Sequence, residues 1–250
     1  MEQPRLSIII ATYNAASTLE VCLASVMAQK FDAWELLIAD GGSTDGTIEL
    51  IERYSSTLWW WQSKTDAGIY DAWNQALAHA RGEYVCFLGA DDAWTNDRSL
   101  ETLFAAIGNN SYDLVTSRGR IVNLPTAKST IVGAAWDYRR MGRRMVVCHP
   151  GLLHRRAIFN NYGLFDASYR ITGDLDFLLR LPESIATLHV DAVTVRIEAG
   201  GVSRQNVLAR LREQRIAMAR CPRYGPLRAR IAWFDKLLRY PIAKMFGISH

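Results

Sequence analysis

The chain has 250 residues, 49% of them hydrophobic and 22% charged, which suits one buried core with a small appendage and excludes a disordered polymer. Its net charge of +4 is uneven: from Arg204 onward eleven Lys or Arg stand against two acids, Glu213 and Asp235, a local balance of +9 behind a mildly acidic body. The four cysteines, Cys22, Cys86, Cys148 and Cys221, form no CxxC pair and the five histidines no HExxH spacing, which argues against a disulfide scaffold and against a zinc enzyme.

Met1–Arg5 is short and polar, and the apolar run behind it, Leu6–Ala11, is too brief for a signal-peptide core or a membrane span, so a cytoplasmic protein is expected. That β-branched run predicts a strand buried on both faces. Polar Thr12-Tyr13-Asn14 follows, then a helix that opens near Ser17 or Thr18 and carries Leu19, Val21, Cys22, Leu23 and Val26. The unit repeats. Trp34–Ala39 reads as a strand, Asp40-Gly41-Gly42-Ser43 as a turn and Thr44–Tyr54 as a helix; Leu58–Gln62 and Ile69–Ala80 form the next strand and helix, and Tyr84–Leu88 the fourth strand. Strands alternating with helices predict a parallel sheet, in which ligands bind at the carboxyl ends of the strands. Thr12-Tyr13-Asn14, Asp40 and Asp91-Asp92 all fall directly after a strand.

Beyond Asp92 the pattern is mixed. A helix is expected over Ser99–Ile107, strands over Leu114–Val122, Thr130–Ala134 and Met145–Cys148, a helix over Asp174–Leu181 and a strand over Ala186–Val195. Arg204–Phe246 reads as helical, interrupted at Cys221-Pro222 and Gly225-Pro226.

Two segments carry chemistry on their residue types alone. Gly89-Ala90-Asp91-Asp92 puts two carboxylates at the end of an apolar strand, where hard oxygens suit Mg2+ or Mn2+, although an Asp there also serves as a helix N-cap. Asp40-Gly41-Gly42-Ser43-Thr44-Asp45-Gly46-Thr47 is neither a dinucleotide fingerprint nor a Walker loop, yet its glycines let backbone approach a ligand closely.

Taken in order, Ser7–Asn14, Asp40–Thr47, Asp66-Ala67-Gly68-Ile69-Tyr70-Asp71-Ala72-Trp73-Asn74 and Gly82–Asp92 resemble the signature of family 2 glycosyltransferases, a likeness that covers about residues 5 to 203. The resemblance implies an α/β fold of the GT-A kind, with a mostly parallel wound sheet, helices on both faces and, here, a basic helical C-terminal tail. It implies a GT-A domain over 1–203, with a nucleotide-sugar-binding half at 1–95 and an acceptor half at 96–203, followed by an extension over 204–250. By the same likeness Thr12, Tyr13, Asn14, Asp40, Asp66 and Asp91 bind the nucleoside-diphosphate sugar, and Asp92 ligates Mg2+ or Mn2+. His149, in His149-Pro150-Gly151, is a further candidate for the metal, the diphosphate or the acceptor. Thr172-Gly173-Asp174-Leu175-Asp176 resembles the second-half motif and makes Asp174 the catalytic base in preference to Asp176, with Gly173 where the family commonly has Glu. Gly200-Gly201-Val202-Ser203 resembles a loop that covers the cleft.

The expected activity is inverting transfer of one sugar to a glycan or lipid-linked acceptor in bacterial surface polysaccharide synthesis, since the Gln-x-x-Arg-Trp motif and membrane spans of processive relatives are missing. One carboxylate that takes the acceptor proton fits that chemistry, whereas a glycosidase needs two flanking carboxylates. The competing readings are a nucleotidyltransferase, a polyprenyl-phosphate sugar transferase and a catalytically silent nucleotide-sugar-binding protein. A nucleic-acid partner is not expected, despite the basic tail. Between Arg228 and Phe246 basic and apolar residues alternate, which points to an anionic membrane surface as a partner and to a peripheral location on the inner face of the plasma membrane.

Overall fold

The computed structural model describes residues 3–123, 128–141, 145–200 and 206–245, with the backbone alone over 238–245. Its first half is the expected wound sheet. Strands β1 (Leu6–Thr12), β2 (Trp34–Asp40), β3 (Trp60–Ser63) and β4 (Tyr84–Gly89) are parallel in the order β3-β2-β1-β4. Helices α1 (Leu19–Met27), α2 (Thr47–Arg53) and α3 (Ile69–Leu77) make the crossovers. Strand alternation then divides the core. Ile8, Ile10, Leu36, Ile38, Cys86 and Leu88 pack with α1 and α2 on one face. Ile9, Leu37, Val85 and Phe87 pack with α3 on the other. Val21, expected on the apolar side of α1, is instead 53% exposed, because Leu19, Cys22, Leu23 and Val26 already fill the inward stripe.

Register fixes where the strands end. Thr12 pairs with Asp40, Asp40 with Ser63 and Ala11 with Gly89, so these residues form one row at the carboxyl edge.

The second half extends the sheet in the order β4-β8-β6-β9-β5. It contains β5 (Ala93–Trp94), α4 (Ser99–Ile107), β6 (Leu114–Asn123), β7 (Lys128–Val132), α5 (Tyr138–Met141), β8 (Leu153–Arg155), α6 (Ala157–Tyr162), α7 (Gly173–Arg180) and β9 (Thr187–Glu198). The short β8 runs antiparallel to both β4 and β6, while β6 and β9 are parallel. Directly after Asp91-Asp92 the chain pairs Ala93 with Arg196 and Trp94 with Val195, which draws the end of β9 to the acidic pair.

The strand expected over Met145–Cys148 does not form. Val146, Val147 and Cys148 are buried, but as a connector without a ladder. The turn at Pro150-Gly151, with Gly151 at φ 79, delivers the chain to β8, which takes the pairing places on β4 and β6. Thus hydrophobicity located a buried segment and the turn displaced the strand.

The C-terminal part forms α8 (Val207–Arg220) and α9 (Gly225–Met245). Ala217, Met218, Cys221 and Ala229 lie in the same core cluster as Leu178 and Leu179 of α7, so the extension expected from residue 204 packs on the body from its first helix. All four cysteines are free and buried. Of the expected covering loop, residues 201–203 lie outside the described residues.

Candidate active site

Asp40 closes β2 and is 2% exposed. Thr12 Oγ1 (2.8 Å) and Ser43 Oγ (2.5 Å) donate to its Oδ1; Gly42 N (3.0 Å), Ser43 N (2.9 Å) and Ser63 Oγ (2.6 Å) donate to Oδ2. Burial pushes the carboxyl pKa up, but the donors from Ser43, Ser63 and Thr12 outweigh it and hold Asp40 below the ordinary value. A carboxylate offers about four lone-pair sites, so these donors already occupy it. Asp40 therefore fastens the ends of β1, β2 and β3, and a nucleobase N–H reaching it shares an oxygen with the chain's own donors.

Asn14 adopts φ 48, in the left-handed region that Asn tolerates. Its N–H donates to Ser43 Oγ (2.8 Å) and its Oδ1 accepts from Thr44 N (3.0 Å), so it stitches the loop after β1 to the loop after β2. Tyr13 is 68% exposed. A Cβ added to Gly41 would lie 3.0 Å from Asp66 Oδ2 and 3.4 Å from Tyr13 Cδ2, so the ring and the carboxylate converge over that glycine. Asp66 Oδ1 accepts from Gly68 N (2.7 Å), which holds it at the start of α3.

At the end of β4 both acids fold back over Gly89, where a Cβ would lie 2.6 Å from Asp92 Oδ2 and 2.9 Å from Asp91 Oδ1. Asp92 is buried, and Gly89 N donates to its Oδ2 at 3.3 Å. Burial and the charge of Asp91 push the Asp92 carboxyl up to about 7, against weaker pulls from the backbone of Gly89 and Glu198 and from Arg196. Two crowded carboxylates of hard oxygen, one of them desolvated, fit a divalent cation, whose charge reverses that penalty. Among the described residues no group of three or more His, Cys, Asp or Glu side chains is gathered closely enough to hold a metal ion.

His149 lies in the aromatic layer between the halves. It stacks on Trp73 with ring centroids 5.4 Å apart and packs near Phe87, His154 and Phe165. Burial lowers its pKa against the pull of Asp174, so the ring is neutral, and its Nε2 has no hydrogen-bond partner. Asn74 is structural: Nδ2 donates to Phe165 O (2.8 Å), and Phe165 N donates to Oδ1 (3.1 Å).

Asp174 sits in the first turn of α7, half-buried. Its Oδ1 accepts from Leu175 N (2.8 Å) and from Tyr70 Oη (3.3 Å). Burial and the Asp174 charge hold the Tyr70 phenol well above its ordinary pKa, so it remains a donor. Asp176 is buried and engaged by Arg180 at 3.4 Å. The two carboxylates thus divide: Asp174 faces partly to solvent and Asp176 anchors α7. Tyr70 belongs to the third motif, but nothing in its type or spacing distinguished it from a core aromatic. Ser43 and Ser63, the other Asp40 donors, were equally anonymous.

The description "Glycosyl transferase family 2" attaches to a family model that matches residues 7–164. A PGL/p-HBAD biosynthesis glycosyltransferase of Mycobacterium bovis is 33% identical over 210 residues, covering 81% of this chain and 80% of the relative. Among solved structures, residues 1–349 of S. aureus TarS superpose with a TM-score of 0.68 at 20% identity, covering 94% of this chain and 71% of that one. The mannosyltransferase PcManGT of Pyrobaculum calidifontis, in complex with GDP-Man and Mn2+, gives 0.66 at 19% identity, covering 98% and 76%. The wound sheet, the carboxylates at its carboxyl edge and these likenesses agree, and the chain belongs to glycosyl transferase family 2, a glycosyltransferase with the GT-A fold.

Proposed function

We propose that the chain is an inverting, non-processive transferase that moves one sugar from a nucleoside diphosphate onto a glycan or lipid-linked acceptor in the synthesis of a bacterial surface polysaccharide. The observation that carries this reading is the hydrogen bond from Tyr70 to Asp174. Tyr70 stands on α3, directly after the Asp66–Gly68 turn, so it joins a half-exposed carboxylate of the second half to the rim of the donor pocket. Tyr13 offers a face for the base, Asp66 closes the pocket, and Thr12, Asn14 and Asp40 hold the loops that shape it. Asp91 meets the ribose or the sugar.

Asp92, with Asp91, would hold Mg2+ or Mn2+, which when bound supplies positive charge to the diphosphate. Asp174 accepts the proton of the acceptor hydroxyl as its oxygen bonds to the anomeric carbon, and the bond to the diphosphate breaks with its electron pair on the departing oxygen. Attack opposite the leaving group inverts the configuration. His149, buried, neutral and unpartnered at Nε2, feels the charge of Asp174 and is the further candidate for a contact with the acceptor. What supports a nucleotide sugar as donor is the company the fold keeps: TarS has been solved with UDP and with UDP-GlcNAc, and PcManGT with GDP-Man.

The expected location is the cytoplasmic side of the plasma membrane, held peripherally. Among the described residues no helix is long and apolar enough to cross a membrane. What supports a peripheral contact is α9, where Leu227 (72%), Ile231 (62%) and Phe234 (55%) are exposed at helical spacing, with Arg228 and Arg230 exposed beside them. An open groove next to this helix is lined by Arg139, Arg223, Arg228 and Lys236 together with Asp235 and Ile231.

The donor is tested by thermal shift of the full chain with UDP-GlcNAc, GDP-mannose and dTDP-glucose, each with Mn2+ and with EDTA. One nucleotide should raise the melting temperature in Mn2+ only. Slow hydrolysis of that donor should release the inverted anomer first by NMR; release of the retained anomer would contradict inversion, and no shift with any nucleotide would contradict the whole reading.

A further inference from the structure

We infer that α8, which lies outside the residues matched by the family model, belongs to the catalytic apparatus, with Glu213 as a positioning residue for Asp174. The inference rests on Asp174 being the base. Glu213 is one of two acids in a stretch otherwise rich in Lys and Arg, and its carboxylate turns inward rather than pairing with its basic neighbours. Oε1 accepts from Arg170 N (3.0 Å), and Oε2 accepts from Ile171 N (2.9 Å), Thr172 N (2.9 Å) and Thr172 Oγ1 (3.3 Å). Three successive backbone N–H groups of the loop entering α7 thus converge on one side chain. Thr172 is the N-cap of α7 yet caps nothing with its own side chain, so the backbone N–H groups of the entering loop take their acceptor from α8 instead. A carboxylate beside a helix N-terminus is also favoured by the helix dipole.

Two residues later stands Asp174. Its other support comes from the opposite side, where the Tyr70 ring lies flat against Gly173. A Cβ at Gly173 would sit 2.8 Å from Tyr70 Cδ2 and Cε2, so only glycine lets the ring approach and its hydroxyl reach Asp174. The short segment 170–174 is therefore gripped between α8 and α3. The grip also reaches the donor rim, because the Arg170 side chain covers Gly68, where a Cβ would lie 2.5 Å from Nη1. Glu213 touches neither substrate, and its effect on rate runs through the placement of the base. A displacement of about 1 Å in a reacting group lowers a rate by about a hundredfold.

The test uses the full chain, the nucleotide sugar that gives the largest thermal shift, and hydrolysis of that sugar with water as acceptor. Glu213→Gln keeps the size but sets an NH2 group against N–H donors. Measured well below the melting temperature, with circular dichroism unchanged, it should lower kcat by about tenfold to a hundredfold while the donor KM stays within about twofold. In an Asp174→Asn background the same change should cost nothing further, because both act on one step. Undiminished kcat in Glu213→Gln, a parallel rise in donor KM, or full additivity with Asp174→Asn would overturn the inference. Normal hydrolysis by Asp174→Asn alone would instead remove the base reading, and this inference with it. Should the variants not fold, hydrogen exchange on the wild-type chain still decides: protected amides at Arg170, Ile171 and Thr172 are expected, and exchange at open-loop rates would overturn the assignment.

Discussion

At the scale of single residues, the proposed donor pocket depends on carboxylates with different burdens. Asp92 is buried beside Asp91 and is proposed to hold a cation. Asp92→Asn should weaken nucleotide binding in Mn2+ at least tenfold and bring it to the level of the wild type in EDTA, with the melting temperature of the free protein unchanged or raised, since a like-charge pair is relieved. Equal Mn2+-dependent binding by the variant, followed by calorimetric titration, would remove Asp92 from the metal site. Asp40 carries the opposite burden, as a buried carboxylate saturated by donors. Its folded pKa lies below the unfolded one, so its ionisation stabilises the fold at pH values above the ordinary Asp value, and that contribution is lost as pH falls through the folded pKa. Asp40→Asn leaves hydroxyl and amide donors poorly matched, at a cost of about 1–3 kcal/mol. Urea midpoints at neutral pH should fall accordingly, and the gap to wild type should narrow as the solution is acidified. A gap that widens towards acid would reverse the sign of the argument.

At the scale of elements, two contacts decide how the sheet and the tail are held. Under the amino ends of β1 and β4, Ser7 Oγ donates to Glu35 Oε1 (2.7 Å), Gly82 N donates to Ser7 Oγ (2.9 Å), and Arg81 Nε donates to Glu35 Oε2 (2.8 Å). A Cβ at Gly82 would meet Ser7 N at 2.5 Å and Leu6 C at 2.7 Å, backbone that is itself paired in the sheet. Gly82→Ala should therefore force β1 and β4 apart and cost about 1–3 kcal/mol, read from the urea midpoint. A neutral result would mean that the strand ends yield easily. The tail divides between its two helices. α8 is committed to the core, so cutting the chain near Ser203 would remove Ala217, Met218 and Cys221 from it and would unfold the body rather than test a membrane contact. The sharper test leaves the chain whole. The triple change Leu227→Gln, Ile231→Gln and Phe234→Gln should abolish flotation on phosphatidylcholine vesicles containing phosphatidylglycerol, which the wild type should join far better than phosphatidylcholine alone. Each nearby Lys or Arg contributes about 1 kcal/mol to that preference. Flotation indifferent to both lipid charge and the triple change would end the membrane reading.

At the scale of the whole molecule, the first half was legible because its signals are local. A β-branched run predicts a strand, the polar residues behind it predict the carboxyl edge, and four motifs in order resemble one family. The second half was less legible because its pairing is long-range. Nothing near Leu153–Arg155 announces a strand that pairs with β4 some seventy positions earlier and with β6 some forty positions earlier. The apolar run at Met145–Cys148 suggested a strand whose place was taken by β8. On the tail helix the exposed large apolar residues among the described ones are Leu227, Ile231 and Phe234, while Ala229 turns into the core, a division that basic and apolar alternation alone did not fix. Site residues followed the same rule. Asp40, Asp91 and Asp92 were visible as acids directly after strands, and Asp66 and Asp174 came from the family resemblance, but the contacts of Tyr70 and Glu213 span long sequence separations that no local pattern carries.

The central claim is that a donor pocket built on β1 to β4 delivers its sugar to a hydroxyl activated by Asp174. It is tested most directly by measuring donor affinity and turnover together for Asp174→Asn. Hydrolysis or transfer should fall by about a hundredfold to ten-thousandfold, the usual contribution of a general base, while calorimetric donor affinity in Mn2+ stays within about threefold of wild type. Turnover that survives in Asp174→Asn and disappears in Asp176→Asn would contradict the account, because the base would then be the carboxylate that the structure pairs with Arg180.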